Sequence, residues 1–127
     1  MSKSLFESEK VQELINLEVL DITQSIDQRY VNLIHVAIDK GTYDAISLCP
    51  DEAQSKLEKY RDNIYHMVKD RGYLLIFSCN WTEQELKSQF IDDTENRWVF
   101  HKLFPSISFS FGGKAGTNVT SIVFQKN

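Results

Sequence analysis

The sequence contains no apolar run near the roughly 18–20 residues that a membrane-spanning helix requires. Cysteine is scarce: Cys49 and Cys79 are the only two in 127 residues. They lie far apart and form no C-x-x-C pair, so a reducing setting, cytoplasmic or nuclear, is the simplest expectation. Met1 to Lys10 is polar and charged, unlike a secretory leader. The sequons at Asn80 and Asn118 are therefore expected to carry no glycan. Basic runs are missing too. The formal net charge is −4, which argues against broad binding to nucleic acid or an anionic membrane, because such binding needs a dense cationic surface. Glycine is sparse and late: Gly41 is the first of five, so no glycine-rich turn can occur before it.

What is present suits one globular domain with a real core. Hydrophobic residues make up 42% and charged residues 25%, both ordinary for such a chain. Leu17 to Ile22 and Val31 to Ile38 read as strands. The second is apolar at nearly every position, as a parallel strand covered on both faces would be. Ala53, Leu57, Tyr60, Ile64 and Met67 recur at helical spacing and predict an amphipathic helix between Asp51 and Lys69. Asp51 with Gln54 reads as its N-terminal cap, and Gly72 as a left-handed residue closing it. Tyr73 to Cys79 is another buried strand. Thr82-Glu-Gln-Glu85 is a capping box opening a short helix through Phe90. Trp98 to Phe104 and Asn118 to Gln125 read as strands joined without a helix, hence an antiparallel pair. The expected order is helix, strand, strand, helix, strand, helix, strand, strand, an α/β sheet with an antiparallel edge.

Three polar segments stand at strand ends, where open α/β sheets bind ligands. Asp39 to Asp44 follows the second strand and reads either as a site or as a solvated turn around Gly41. Ser78-Cys-Asn-Trp-Thr82 follows the next. There Asn80 offers both a donor and an acceptor, and Trp81 a flat apolar wall, though a loop with Trp81 packed on the core fits equally. Asp21 ends the first strand and suits either an adenine amino group or its own turn. Phe111 to Thr117 lacks the phosphate-loop spacing and precedes a strand rather than a helix. His35, His66 and His101 show no metal-ligand spacing, so no metal is expected. No G-x-S-x-G occurs and no base is paired with Cys79, which leaves hydrolytic nucleophiles without support.

Taken together, DKGTYDAISL with its following PD (Asp39 to Asp51), SCNWT (Ser78 to Thr82), FSFGG (Phe109 to Gly113) and VFQK (Val123 to Lys126) resemble the eukaryotic protein-lysine methyltransferases that modify translation elongation factor 1-alpha. The resemblance runs from about Leu17 to the C-terminus. It implies a Rossmann-like class I methyltransferase sheet of strand order 3-2-1-4-5-7-6 with strand 7 antiparallel. Leu17 to Ile22 would be strand 3, with Asp21 and Ile22 beside the adenine of S-adenosylmethionine. Val31 to Ile38 would be strand 4, carrying Asp39 and Lys40 at the motif facing the methyl group. Tyr73 to Cys79 would be strand 5, with Asn80 and Trp81 on the substrate side, and the final pair would be strands 6 and 7. Where the family commonly has Asn before Pro-Asp, this chain has Cys49.

On this resemblance, residues 1–16 are the end of the helix before strand 3, and residues 17–127 are strands 3 to 7. Strands 1 and 2 and the glycine-rich loop are then missing, which implies a truncated form. Strand 4 would be left as a bare apolar edge, with strand 3 free to move across and cover it, or the chain would associate through that edge. The implied activity is S-adenosylmethionine-dependent methylation of a lysine on elongation factor 1-alpha, in the cytoplasm or also the nucleus, by a monomer needing no metal. The alternative is a non-catalytic remnant with at most a protein-binding surface. A third reading has a separate chain supply strands 1 and 2.

Overall fold

A computed structural model describes residues 14–91, 95–107, 110–111, 114–115 and 119–127. The helix end expected over residues 1–16 lies mostly outside them. A 3-10 turn, Gln28–Tyr30, capped by the Asp27 carboxylate, precedes the sheet. Strand β1 (Ile34–Lys40) comes next, then the short helix α1 (Thr42–Ser47) and the long helix α2 (Ala53–Met67). Strand β2 (Val68–Ser78) leads to helix α3 (Glu83–Phe90) and strand β3 (Trp98–Ile107). Two short strands, β4 (Ser110–Phe111) and β5 (Lys114–Ala115), pair with each other before β6 (Val119–Lys126) returns to the sheet. Among the described residues, no helix is long and apolar enough to cross a membrane.

The sheet order is β1-β2-β6-β3. β1 and β2 are parallel, and β6 runs antiparallel to both of its neighbours. The α/β class and the antiparallel pair therefore stand as the sequence pattern implies. Leu74 and Ile76 of β2, Ile122 and Phe124 of β6 and Trp98 of β3 are fully buried, and belong to one core with Leu57, Tyr60 and Ile64 of α2 and Leu86 and Phe90 of α3. Phe90 stacks on Phe124 with ring centroids 5.1 Å apart. The capping box of α3 forms with both bonds in place. Lys126 is itself buried, and its Nζ donates to the Val68 carbonyl at 2.8 Å while lying 4.3 Å from the Tyr65 ring centroid.

Several expectations need correction. Leu17 to Ile22 is not a strand. A strand requires a neighbour for its backbone groups, and the described bonds pin this segment to α2 instead: Asn63 Nδ2 donates to the carbonyls of Ile22 and Gln24 at 2.8 and 2.7 Å. Nor does it pair with β1, whose one partner among the described residues is β2, although Leu20 and Ile22 border a space with Ile34, Val36 and Ile38. Val36 is 52% exposed and Ile38 68%, whereas Asp39 is 6% exposed. The two-sided burial read from the apolar run thus fails. Alternate residues of a strand face opposite sides, and the helix-covered side here takes Ala37 and Asp39, in register with Leu74 and Ile76.

The ends of α2 also differ. Its cap position is Glu52, at φ 54° in the left-handed region and without a side-chain bond, so Asp51 lies one residue outside the turn it was expected to cap. Gly72 does not close the helix, which passes directly into β2 at Val68. Arg71 takes the left-handed conformation instead, at φ 68°. Gly72 serves a different purpose: a Cβ there would lie 2.7 Å from the His35 carbonyl oxygen, 2.7 Å from Val68 Cγ1 and 2.9 Å from the Lys69 carbonyl oxygen. It lets β1 approach where the β1–β2 register shifts between Ile34 and Val36.

Candidate functional site

The polar residues singled out from the sequence gather at the carboxyl ends of β1 and β2. Asp39, near the end of β1, is buried beneath the turn rather than displayed on it. Its Oδ1 accepts the Thr42 N–H at 2.8 Å and its Oδ2 accepts the Tyr43 N–H at 3.0 Å and the Tyr60 hydroxyl. Helices begin with unpaired N–H groups that a carboxylate satisfies well. Asp39 is therefore what starts α1, a helix of six residues that periodicity alone does not disclose. Between them Lys40 is exposed and Gly41 takes φ 100°. A Cβ at Gly41 would meet nothing within 4 Å, so glycine is needed there for the backbone angle and not for space.

Two further tyrosine contacts brace this turn. Tyr43 is fully buried; its hydroxyl donates to Gln89 Oε1 of α3 and accepts Arg61 Nη1 of α2 at 2.8 Å. Burial, and then the nearby Asp39 carboxylate, pushes the Tyr60 phenol well above its ordinary value. Burial raises Tyr43 as well, opposed by Arg61. The folded state therefore holds these protons longer than the unfolded chain does. Their contribution to stability is intact below about pH 10, the unfolded phenol value, and is lost as pH rises through the folded one. Urea denaturation at a series of alkaline pH values is expected to give stability that declines above about pH 10, and less steeply in Tyr60→Phe. Equal slopes in the two proteins would mean that Tyr60 is not the group responsible.

The second strand end is organised by Asp44 of α1. Its Oδ1 accepts the Ser78 hydroxyl at 2.6 Å and its Oδ2 accepts the Cys79 N–H at 2.8 Å. Ser78 Oγ in turn accepts the N–H groups of Asn80 and Trp81 at 3.2 and 3.0 Å. Asn80 is exposed; Trp81 is partly buried, 6.5 Å from Tyr43 between ring centroids, and its buried Nε1 has no acceptor among the described residues. Neither Asp44 nor Ser78 stands out in the sequence pattern as a site residue. The one hint is their presence inside the two quoted motifs, since 34 positions separate them and conceal the pairing.

Asp21 is exposed, and its Oδ1 accepts both the hydroxyl and the N–H of Thr23, at 2.6 and 2.9 Å. These bonds, the hydroxyl's first, hold its carboxyl below its ordinary value. The turn-capping reading of Asp21 is thus realised, yet the residue also borders a cavity. Asp21 and Ile22 meet Lys40, Gly41, Thr42 and Ala45 around a space of about 630 Å³. A second, mainly apolar space of about 550 Å³ is lined by Lys40, Gly41, Asp44, Phe77, Cys79 and Ser121. Lys40 and Gly41 line both. Asn80 and Trp81 are not among the lining residues of either, and Asp39 borders a third space of about 400 Å³ with Ile38, Tyr60 and Leu74.

No protein-family model matches the chain. It is 40% identical over 126 residues to EEF1A lysine methyltransferase 2 of Homo sapiens and 41% identical over 126 residues to that of Mus musculus. It is 31% identical over 128 residues to the protein-lysine N-methyltransferase efm4 of Schizosaccharomyces pombe. These alignments cover 99%, 99% and 98% of this chain, but 50%, 49% and 52% of the relatives. The chain spans about half the length of the curated relatives it matches. It is a homologue of the EEF1A lysine methyltransferase 2 and efm4 protein-lysine methyltransferases, aligned along nearly all of its own length with about half of theirs.

Proposed function

We propose that this chain carries the methyl-transfer half of a class I S-adenosylmethionine-dependent lysine methyltransferase acting on EEF1A, the protein its animal relatives are named for. The observation that carries this reading is the pair of open surface hollows meeting at Lys40 and Gly41. A transfer site needs two chambers, one for the donor and one for the acceptor, joined where the group passes. The sheet order supports the same reading: β1-β2-β6-β3 with β6 antiparallel corresponds to the family's 4-5-7-6. On that correspondence residues 17–22 would be the counterpart of strand 3, although they form no strand here.

The residues present suit one side of the cofactor. Asp21 and Ile22 would border the adenine; among the described residues both Thr23 bonds fall on Oδ1 of Asp21, so Oδ2 could accept from an amino group. The Lys40–Gly41 turn would border the methyl. When bound, S-adenosylmethionine supplies an electrophilic methyl group. What the chain supplies is position and dryness: the acceptor amine must arrive uncharged and in line, and closeness and exclusion of water do most of the work. Asn80 and Trp81 would orient the incoming lysine from the β2 side. Asp39, buried and accepting from three donors, would act by holding the turn and not by touching substrate. Cytoplasmic location belongs to the same proposal.

Calorimetric titration of the folded chain with S-adenosylhomocysteine tests it. Micromolar binding, weakened by Asp21→Ala, is the expected result. No heat from a demonstrably folded chain would favour the second reading, a protein-binding remnant. The exposed apolar β1 edge is the observation behind that alternative.

A further inference from the structure

The Asp44–Ser78 pair is the strongest feature to which the reading above gives no role, although Asp44 borders the second space. One carboxylate on α1 holds a hydroxyl and a backbone N–H at the end of β2, and that hydroxyl accepts two more N–H groups. Three consecutive amides, Cys79, Asn80 and Trp81, are thereby tied to the helix that begins just after Lys40 and Gly41. The next residue, Thr82, starts α3 by its capping box. The segment from β2 to α3 thus has its backbone donors engaged by two side chains at its root and one at its end. Ser78 is 1% exposed, so water does not readily replace Asp44 as its acceptor.

The geometry points to Asp44 and Ser78 as positioning residues that set the Asn80–Trp81 segment against the Lys40–Gly41 turn. This rests on the methyltransferase reading for what the two sides hold. A lysine side chain entering from the β2 side would meet Asn80 and Trp81, whereas the methyl donor would lie beyond Lys40. The β1–β2 ladder sets Lys40 beside Phe77, and beyond it the two Asp44 bonds to Ser78 and Cys79 tie α1 to the segment that leaves β2. Misplacement by about 1 Å can cost on the order of a hundredfold in rate, so bonds spanning the two sides control turnover through placement, with Ser78 bordering neither space and Asp44 only the second. Neither residue borders the Asp21 cavity, and cofactor affinity is accordingly separable from the effect.

Three variants test this: Asp44→Asn, Ser78→Ala and Ser78→Thr, the last keeping the hydroxyl. Amide hydrogen exchange of Cys79 and Trp81 is expected to accelerate about tenfold or more in Asp44→Asn, and that of Asn80 and Trp81 in Ser78→Ala. Amides within the β2–β6 ladder should stay protected in both. Ser78→Thr should stay near the parent. With S-adenosylmethionine and EEF1A, kcat should fall at least tenfold in the first two variants, with S-adenosylhomocysteine affinity within about twofold and recovery in Ser78→Thr. Unchanged exchange in Asp44→Asn, or a Ser78→Thr protein as impaired as Ser78→Ala, overturns the inference. So does a loss confined to KM. If Asp44→Asn fails to fold, Ser78→Ala carries the test alone, since it leaves the carboxylate on Cys79. A parent chain that neither binds S-adenosylhomocysteine nor transfers methyl sinks the methyltransferase reading, and the exchange data then decide the clamp separately.

Discussion

Replacing Asp39 by alanine is expected to destabilise the fold by about 4 kcal/mol, a large share of what a domain of this size possesses. The carboxylate accepts from Thr42 N, Tyr43 N and the Tyr60 hydroxyl. Thr42 is exposed, so its N–H can turn to water, whereas Tyr43 and Tyr60 are 0% and 2% exposed. Two buried donors would thus be left without acceptors, at about 1–3 kcal/mol each. Asp39→Asn should be milder, because its carbonyl still serves one donor and the phenol can rotate to accept. Adding Tyr60→Phe to Asp39→Ala should return part of the loss by removing one stranded hydroxyl. Equilibrium denaturation of the parent, Asp39→Ala, Asp39→Asn, Tyr60→Phe and the double variant provides the check. A strictly additive pair would show that Tyr60 and Asp39 do not act on each other, and an Asp39→Ala cost below about 1 kcal/mol would mean that water enters the turn.

Gly72→Val is expected to cost about 3 kcal/mol, from overpacking against atoms that cannot step aside. Two of the three atoms a Cβ would meet are backbone carbonyl oxygens, His35 of β1 at 2.7 Å and Lys69 of β2 itself at 2.9 Å. Relief would require β1 to swing away from β2 at its amino end. The damage should therefore be local as well as global, with faster amide exchange near Ile34 and a smaller effect near Lys40. The same substitution at Gly41 probes a different cause, since that position has open space and a positive φ. Gly72→Val with parental stability would mean that the register shift beside Ile34 yields at little cost.

How much of this is legible in the residues alone depends on the range over which the cause acts. The face of α2 is legible because Leu57, Tyr60, Ile64 and Met67 repeat within one helix. The capping box at Thr82 is legible because both of its bonds span three residues. β2 and the antiparallel β3–β6 pair show as apolar runs without an intervening helix. What stays hidden is set by partners distant in sequence. Leu17 to Ile22 has a strand's composition but no neighbouring strand, and composition does not report the neighbour. Helix α1 escapes the sequence pattern because a six-residue helix has no period to detect; the Asp39 carboxylate starts it from outside. Gly72 suggests a helix stop, whereas its reason is the approach of His35 from another strand. The strand-end motifs locate the site, but the Asp44–Ser78 bond and the Arg61–Tyr43–Gln89 bracing emerge only in three dimensions.

The placement of β6 bears on how a ribosome can deliver this fold. β3 emerges ahead of β6, yet its sheet partner among the described residues is β6. Until the segment from Val119 to Lys126 leaves the tunnel, β3 has nothing to pair with, and β2 offers an unfilled edge along Tyr73 to Ser78. The nascent chain thus passes through a stage in which β1, α2 and β2 can assemble while an adjoining strand waits beside them. Open edges of this kind are where chains recruit one another. Arrival of a single eight-residue segment then completes both ladders at once, so the stage before β6 joins the sheet is when a chaperone would matter most.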